Sequence, residues 1–219
     1  MKNLIYALAL LSVVFLSACS NTDQDPVSSN ITQIKKGNVI GLAQPFELHQ
    51  KFPEVSSSVI NWKNYRQGIV ISLSSTSEIQ TGRYLFATIE YINSKGTVMA
   101  FLGDSKAGSY YLNGFNEKDI SRINVYYFDE TSTGEVTVLP YKEGELFENL
   151  PIKGWADGGS AVKIKSFPFP SNMQHLFAQM TGSEGSQLIF LGKPRSEDFD
   201  FPKSAKLNLK EIKLFTYVK

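Results

Sequence analysis

The sequence predicts an all-β protein made of two tandem antiparallel β-sandwich repeats. Three observations carry that expectation. Short runs rich in β-branched and aromatic residues recur, among them "YLFATIEYI" at 84–92, "ISRINVYYF" at 120–128 and "LKEIKLFTYV" at 209–218. Turn signals such as Asn93-Ser94-Lys95-Gly96 and Asp157-Gly158-Gly159 separate such runs, and beyond the first 18 residues no stretch holds a helical apolar period for about ten residues. The third observation is a repetition. "LFATIEYINSKGTVMAFLG" at 85–103 returns as "LFAQMTGSEGSQLIFLG" at 176–192.

The repeat extends in both directions. With an offset of 89, residues 94–128 align without a gap to 183–217, placing Phe101-Leu102-Gly103 on Phe190-Leu191-Gly192 and Ile123 on Ile212. With an offset of 91, Gly68–Ile89 align to Gly159–Met180, while Trp62 matches Trp155 at 93, Phe52 matches Phe147 at 95 and Gly37 matches Gly134 at 97. Each change of offset removes two residues, one strand period, so no side chain changes face. The copies span 38–132 and 133–219. At about 90 residues each, with many short strands, they have the size of small immunoglobulin-like sandwiches. The alternative is that both halves interleave into a single jelly roll.

The N-terminus reads "MKNLIYALALLSVVFLSACS", one positive charge followed by an apolar run from Leu4 to Phe15. That run is too short to span a bilayer and has the form of a secretory core region, so residues 1–18 are read as a signal peptide. Residues 19–37 are mostly polar and read as a flexible tether.

The closing Leu16-Ser17-Ala18-Cys19 resembles the lipobox of bacterial lipoproteins. Cys19 is also the sole cysteine, which has no intrachain disulfide partner. The resemblance implies a diacylglyceryl thioether and an amide-linked acyl chain such as palmitate at Cys19. With Ser20 rather than aspartate next, it implies the outer membrane, or the cell membrane if the source is Gram-positive.

Charge excludes one class of partner. Twenty-two basic residues against 21 acidic ones leave +1, with no basic field to gather nucleic acid. Catalytic constellations are not visible either. His49 and His175 lack nearby second ligands, so no metal centre or cofactor is expected, and His175 aligns with Tyr84 as a half-exposed strand position. Asp157-Gly158-Gly159 and Glu197-Asp198-Phe199-Asp200 lack the spacing of a calcium loop and read as solvated turns. Gly-x-Ser-x-Gly and phosphate-cradling glycine loops are absent. The equivalence of Trp62 and Trp155 favours packed rings over sugar platforms.

Binding or assembly remains, without catalysis. Tyr111 aligns with Asp200 while its neighbours Tyr110 and Leu112 have apolar counterparts, so Tyr111 faces solvent. Tyr126 and Phe128 stand on the face opposite Ile123 and Val125, as Phe215 and Tyr217 do in the second copy. That second aromatic face has three readings: a contact between the copies, a ligand surface, or the inside of a jelly roll. The candidate ligand-binding residues are therefore Tyr111, Tyr126 and Phe128, with an envelope protein as first partner and a glycan as second. A weak resemblance to carbohydrate-binding jelly rolls rests on the leading tryptophan and the closing "LKEIKLFTYV" strand. A hydrolase with an unrecognised site is the remaining alternative.

Overall fold

Burial along the strands separates two kinds of sequence. In "SYYLN" every second residue is buried, the mark of a strand with one face in water, whereas "LFATI" is buried at all five positions. Strands of the second kind need cover on both faces, and that requirement organises the molecule. The computed structural model describes residues 45–219 except 75–83, 93–95, 106–107, 129–138, 167, 170, 194–195, 204–206 and 219, and adds the backbone of 34–36 and 39–41. Residues 1–18, expected to be a signal peptide, together with Cys19, Gly37, Gly134 and the expected junction between the copies, lie outside the described residues.

The protein is all-β, with β-sandwich layering. A short ladder joins β1 (Ile34–Lys36) to β2 (Val39–Gly41). The first copy continues with β3 (Lys51–Phe52), β4 (Ile60–Tyr65), β5 (Gly68–Leu73), β6 (Tyr84–Tyr91), β7 (Thr97–Asp104), β8 (Ser109–Asn113) and β9 (Ile120–Phe128). The second holds β10 (Leu146–Leu150), β11 (Ile152–Asp157), β12 (Ala161–Ser166), β13 (Met173–Gly182), β14 (Gly185–Gly192), β15 (Asp198–Pro202) and β16 (Leu209–Val218). Eight strands form one antiparallel sheet, β3-β14-β13-β16-β10-β7-β6-β9, flanked by two three-stranded sheets, β4-β5-β8 and β11-β12-β15.

The large sheet closes on itself. Past β3, Glu54 bridges Tyr126 of β9, with Val55 N–H donating to Val125 C=O at 2.8 Å and Tyr127 N–H to Pro53 C=O at 3.1 Å. Edge therefore meets edge, and the sheet becomes an eight-stranded barrel. Eight strands leave an interior just wide enough for side chains to fill. Here Phe52, Phe86, Phe147, Phe177 and Phe190 fill it, and Phe46 and Tyr141 pack among them from the loops.

Each small sheet lies outside this barrel. One covers Leu85, Ala87, Ile123 and Val125, and the other covers Leu176, Ala178, Ile212 and Leu214. Each copy is thus a sandwich whose larger sheet is half of a shared barrel. The two sandwiches do not stand apart, and their strands do not interleave as in a jelly roll. The exchange is confined to β3 and β10, each of which joins its own copy's last strand to the other copy's β7 or β14.

The copies repeat each other in register. Met99 lies opposite Phe147 as Leu188 lies opposite Phe52, and Phe86 lies opposite Tyr126 as Phe177 lies opposite Phe215. Gly103 and Gly192 have φ of 91° and 68°, each beside a register shift that leaves Leu102 or Leu191 without an opposite residue. The shared Phe-Leu-Gly is therefore a glycine-dependent bulge written twice. One alignment needs correcting. Ile71, between Trp62 and Tyr110, corresponds to Ile164, between Trp155 and Phe199, so the offset at β5 is 93 rather than 91. The two-residue error preserved the facing of every side chain.

Candidate functional site

The outer face of β4-β5-β8 is built by alternation. Trp62, Ile71 and Tyr110 point to the core, so Lys63, Val70 and Tyr111 share the opposite face. Tyr111 is 43% exposed and Tyr65 46%, with ring centroids 6.0 Å apart in an edge-to-face arrangement. The Arg66 guanidinium carbon lies 5.1 Å from the Tyr65 ring centroid, a cation–π contact. Gly68, opposite Tyr65, has no space for a side chain, because a Cβ there would lie 2.0 Å from the Leu112 carbonyl oxygen.

Of the residues expected at a site, Tyr111 stands on this face. Tyr126 and Phe128 do not, and of the three readings of their face the ligand surface is the one that the structure corrects. They are 0% and 8% exposed, inside the barrel, so they are not part of an outer ligand surface. Tyr65 is the residue sequence reasoning missed. The signal was its spacing: three residues beyond an inward tryptophan, a strand residue faces outward.

The second copy presents a different outer face. Lys163 opposes Asp200, Lys165 opposes Asp198, and Gly154 and Ala156 leave a depression of about 520 Å³ beside them. Alternating charges replace the aromatic pair on the same framework. The turn at Asp157 is a structural one, since Asp157 accepts the Gly159 N–H at 2.9 Å and pairs with Lys203. Hydrogen bonding to Lys203 and then to Gly159 holds the Asp157 carboxyl below its ordinary value. Among the described residues, no group of three or more His, Cys, Asp and Glu is arranged to hold a metal ion.

One end of the barrel is aromatic and the other polar. At the aromatic end His175 is fully buried, not half-exposed as expected, and its Nδ1 lies 2.7 Å from the Tyr141 hydroxyl. Burial pushes the Tyr141 phenol well above its usual value. At the polar end Gln179 Nε2 donates to the Tyr126 hydroxyl at 2.9 Å and to Thr88 Oγ1 at 3.0 Å. Asn124 Nδ2 donates to Ser186 Oγ at 3.2 Å, and Glu54 accepts the Ser186 N–H at 2.8 Å. Gln179 Oε1 is buried and has no hydrogen-bond partner among the described residues. Glu90 accepts from Lys213 at 2.9 Å and from Arg122 at 3.0 Å. Burial alone would raise its carboxyl, but Lys213 first and Arg122 second hold it below the ordinary value.

These features define an all-β protein with a filled barrel, whose most exposed aromatic pair among the described residues lies on the outer face of a flanking sheet. No protein-family model matches the sequence, and no curated protein resembles it significantly. Among the described residues, no helix is long and apolar enough to cross a membrane.

Proposed function

We propose that this protein is a lipid-anchored component of a bacterial cell envelope with a non-catalytic role in protein binding or assembly. The lipobox-like Leu16–Cys19 supports the anchor, Cys19 being the lipidated residue, and Ser20 supports the outer membrane where the source is Gram-negative. The observation that carries the binding role is the Tyr65–Tyr111 pair. Two exposed tyrosines in contact give a partner apolar area with little rotamer entropy to lose, and each keeps a hydroxyl for hydrogen bonding. Their counterparts in the second copy are small or charged, so core packing does not require aromatic rings at these places.

A photo-crosslinking residue placed at 111 in cells, with Lys163 and Asp200 on the outer face of the second copy as comparison positions, tests the binding role. One discrete protein adduct specific to position 111 is expected. Adducts at all three positions alike, or at none, would overturn the reading. The anchor is tested separately by Cys19→Ser with fatty-acid labelling and fractionation, where retained label and membrane association would count against lipidation.

A further inference from the structure

A second surface lies at the polar end of the barrel, on the edge of the first sandwich rather than on its outer face. After bonding to Val125 and Tyr127, the chain at 53–55 leaves β9, turns through the 3-10 segment Ser57–Val59 and enters β4. The remaining edge of β9 therefore faces β4 across an open cleft of about 680 Å³, lined by Ser57, Trp62, Glu90, Ser121, Arg122 and Asn124. That volume lies within the range of sites that hold small molecules.

We propose that this cleft binds a neutral saccharide. Trp62 is only partly buried. As its equivalence with Trp155 predicts, it packs against the first sandwich core, and the part of it left uncovered lines the cleft and gives a sugar an apolar contact. Polar groups around it are fixed before any ligand arrives. Arg122 donates to Glu90 Oε2 from Nε at 3.2 Å and from Nη2 at 3.0 Å, which leaves three of its five N–H groups for other acceptors. Ser121 Oγ donates to the Glu90 carbonyl at 3.1 Å. Asn124 directs its NH2 group to Ser186 and Tyr126, so its amide oxygen is the atom left to accept a hydroxyl.

Charge decides the ligand class. Lys213 joins Glu90 at 2.9 Å to Glu211 at 3.2 Å, so two cations and two carboxylates form one connected set. In the lining itself Arg122 and Glu90 are the charged residues and they are paired with each other, so a charged ligand finds no unpaired charge there. A neutral polyol instead finds directional donors, an acceptor and a ring. The site shares no residue with the Tyr65–Tyr111 face and stands independently of the protein-binding reading.

The test uses the full chain in detergent, with maltotriose, cellotriose and chitotriose as neutral probes and sialyllactose as a charged one. Calorimetry reports affinity, and fluorescence in a Trp155→Phe background reports Trp62. The expected result is saturable binding of at least one neutral probe with a change in Trp62 emission. Arg122→Gln should weaken it about tenfold or more, while Lys163→Gln on the second copy's outer face binds as the wild type does. Arg122 is exposed, so its substitution leaves the fold intact, as an unchanged circular dichroism spectrum would verify. No neutral probe binding below about 10 mM, tighter binding of sialyllactose, or wild-type affinity in Arg122→Gln would each overturn the proposal.

Discussion

Gln179 reaches Thr88 at 3.0 Å, and the two residues hold the same position in the two copies of the repeat. Phe86 and Phe177, also equivalent, meet one layer away with ring centroids 5.5 Å apart. Equivalent positions touch only near an axis that exchanges the copies. The barrel therefore has a pseudo-twofold axis between β6 and β13, and the repeat survives in the structure as a symmetric assembly of two halves. The contacts on that axis are where identical copies had most reason to diverge, since a side chain there meets its own counterpart.

That divergence is testable at Gln179. Gln179→Ala removes the partner of two buried hydroxyls and leaves a cavity, and is expected to cost about 2–4 kcal/mol. Gln179→Met keeps the volume and also removes the buried unpartnered Oε1, so about 1 kcal/mol is expected. Urea denaturation of both variants checks the ordering. Equal losses would mean that the hydrogen bonds, not the packing, dominate at this position.

A second expectation concerns the strands that join the copies. Phe52 and Phe147 are 0% and 1% exposed and sit at equivalent places in the barrel wall. Phe52→Ala and Phe147→Ala should each cost about 3–5 kcal/mol. Residues 133–219 alone would expose Phe177, Phe190 and Phe215, which face the barrel interior. This fragment is expected to be unfolded or to pair with a second copy of itself, closing a barrel by the same registers. Analytical ultracentrifugation with denaturant titration distinguishes these states from a cooperatively folded monomer, which would contradict the shared-barrel account.

Local alternation explains what was legible beforehand. The facing of Tyr111, Ile123 and Val125 follows from period two and from comparing copies, and it survived a two-residue misalignment at β5 because two residues is one period. Closure of the barrel follows from no local pattern. It depends on Glu54 meeting Tyr126, 72 positions away in the chain, and on β10 inserting beside β7. Without that pairing, the second aromatic face of β9 had three readings, and strand alternation alone did not decide among them. The burial of His175 was hidden for the same reason, because its partner Tyr141 arrives from a loop that no strand pattern marks.

The Glu90 cluster predicts a pH dependence with a definite sign. Its carboxyl is held below the ordinary value in the folded protein, so its contribution is present above the unfolded value of about 4.3. That contribution is lost as pH falls through the lower folded value. Solvent reaches Arg122, so the effect is modest. Glu90→Gln should be less stable than the wild type near pH 7, and the gap should close near pH 3. Urea titrations of both proteins across that range measure it. A gap that stayed constant with pH would assign the loss to packing rather than to the charge.

The outer face of β4-β5-β8 offers the sharpest separation of stability from function. Tyr111 lies opposite Val70 and touches Tyr65, but 43% of its surface is exposed, so truncation removes little buried area. Tyr111→Ala is therefore expected to change stability by only about 0.5 kcal/mol. Tyr65→Ala should do the same apart from the loss of the Arg66 contact, worth about 0.5–1 kcal/mol at an exposed site. If the pair forms the centre of a binding face, either change should weaken partner capture by about tenfold or more, because truncated aromatic anchors commonly cost over 1 kcal/mol. The double variant should be less than additive, since the rings touch and the first loss already opens the contact. Denaturation midpoints and crosslinking yield, measured on the same preparations, check both halves. Loss of several kcal/mol of stability would place Tyr111 in the core. Unchanged capture in both single variants would move the binding face elsewhere on the molecule.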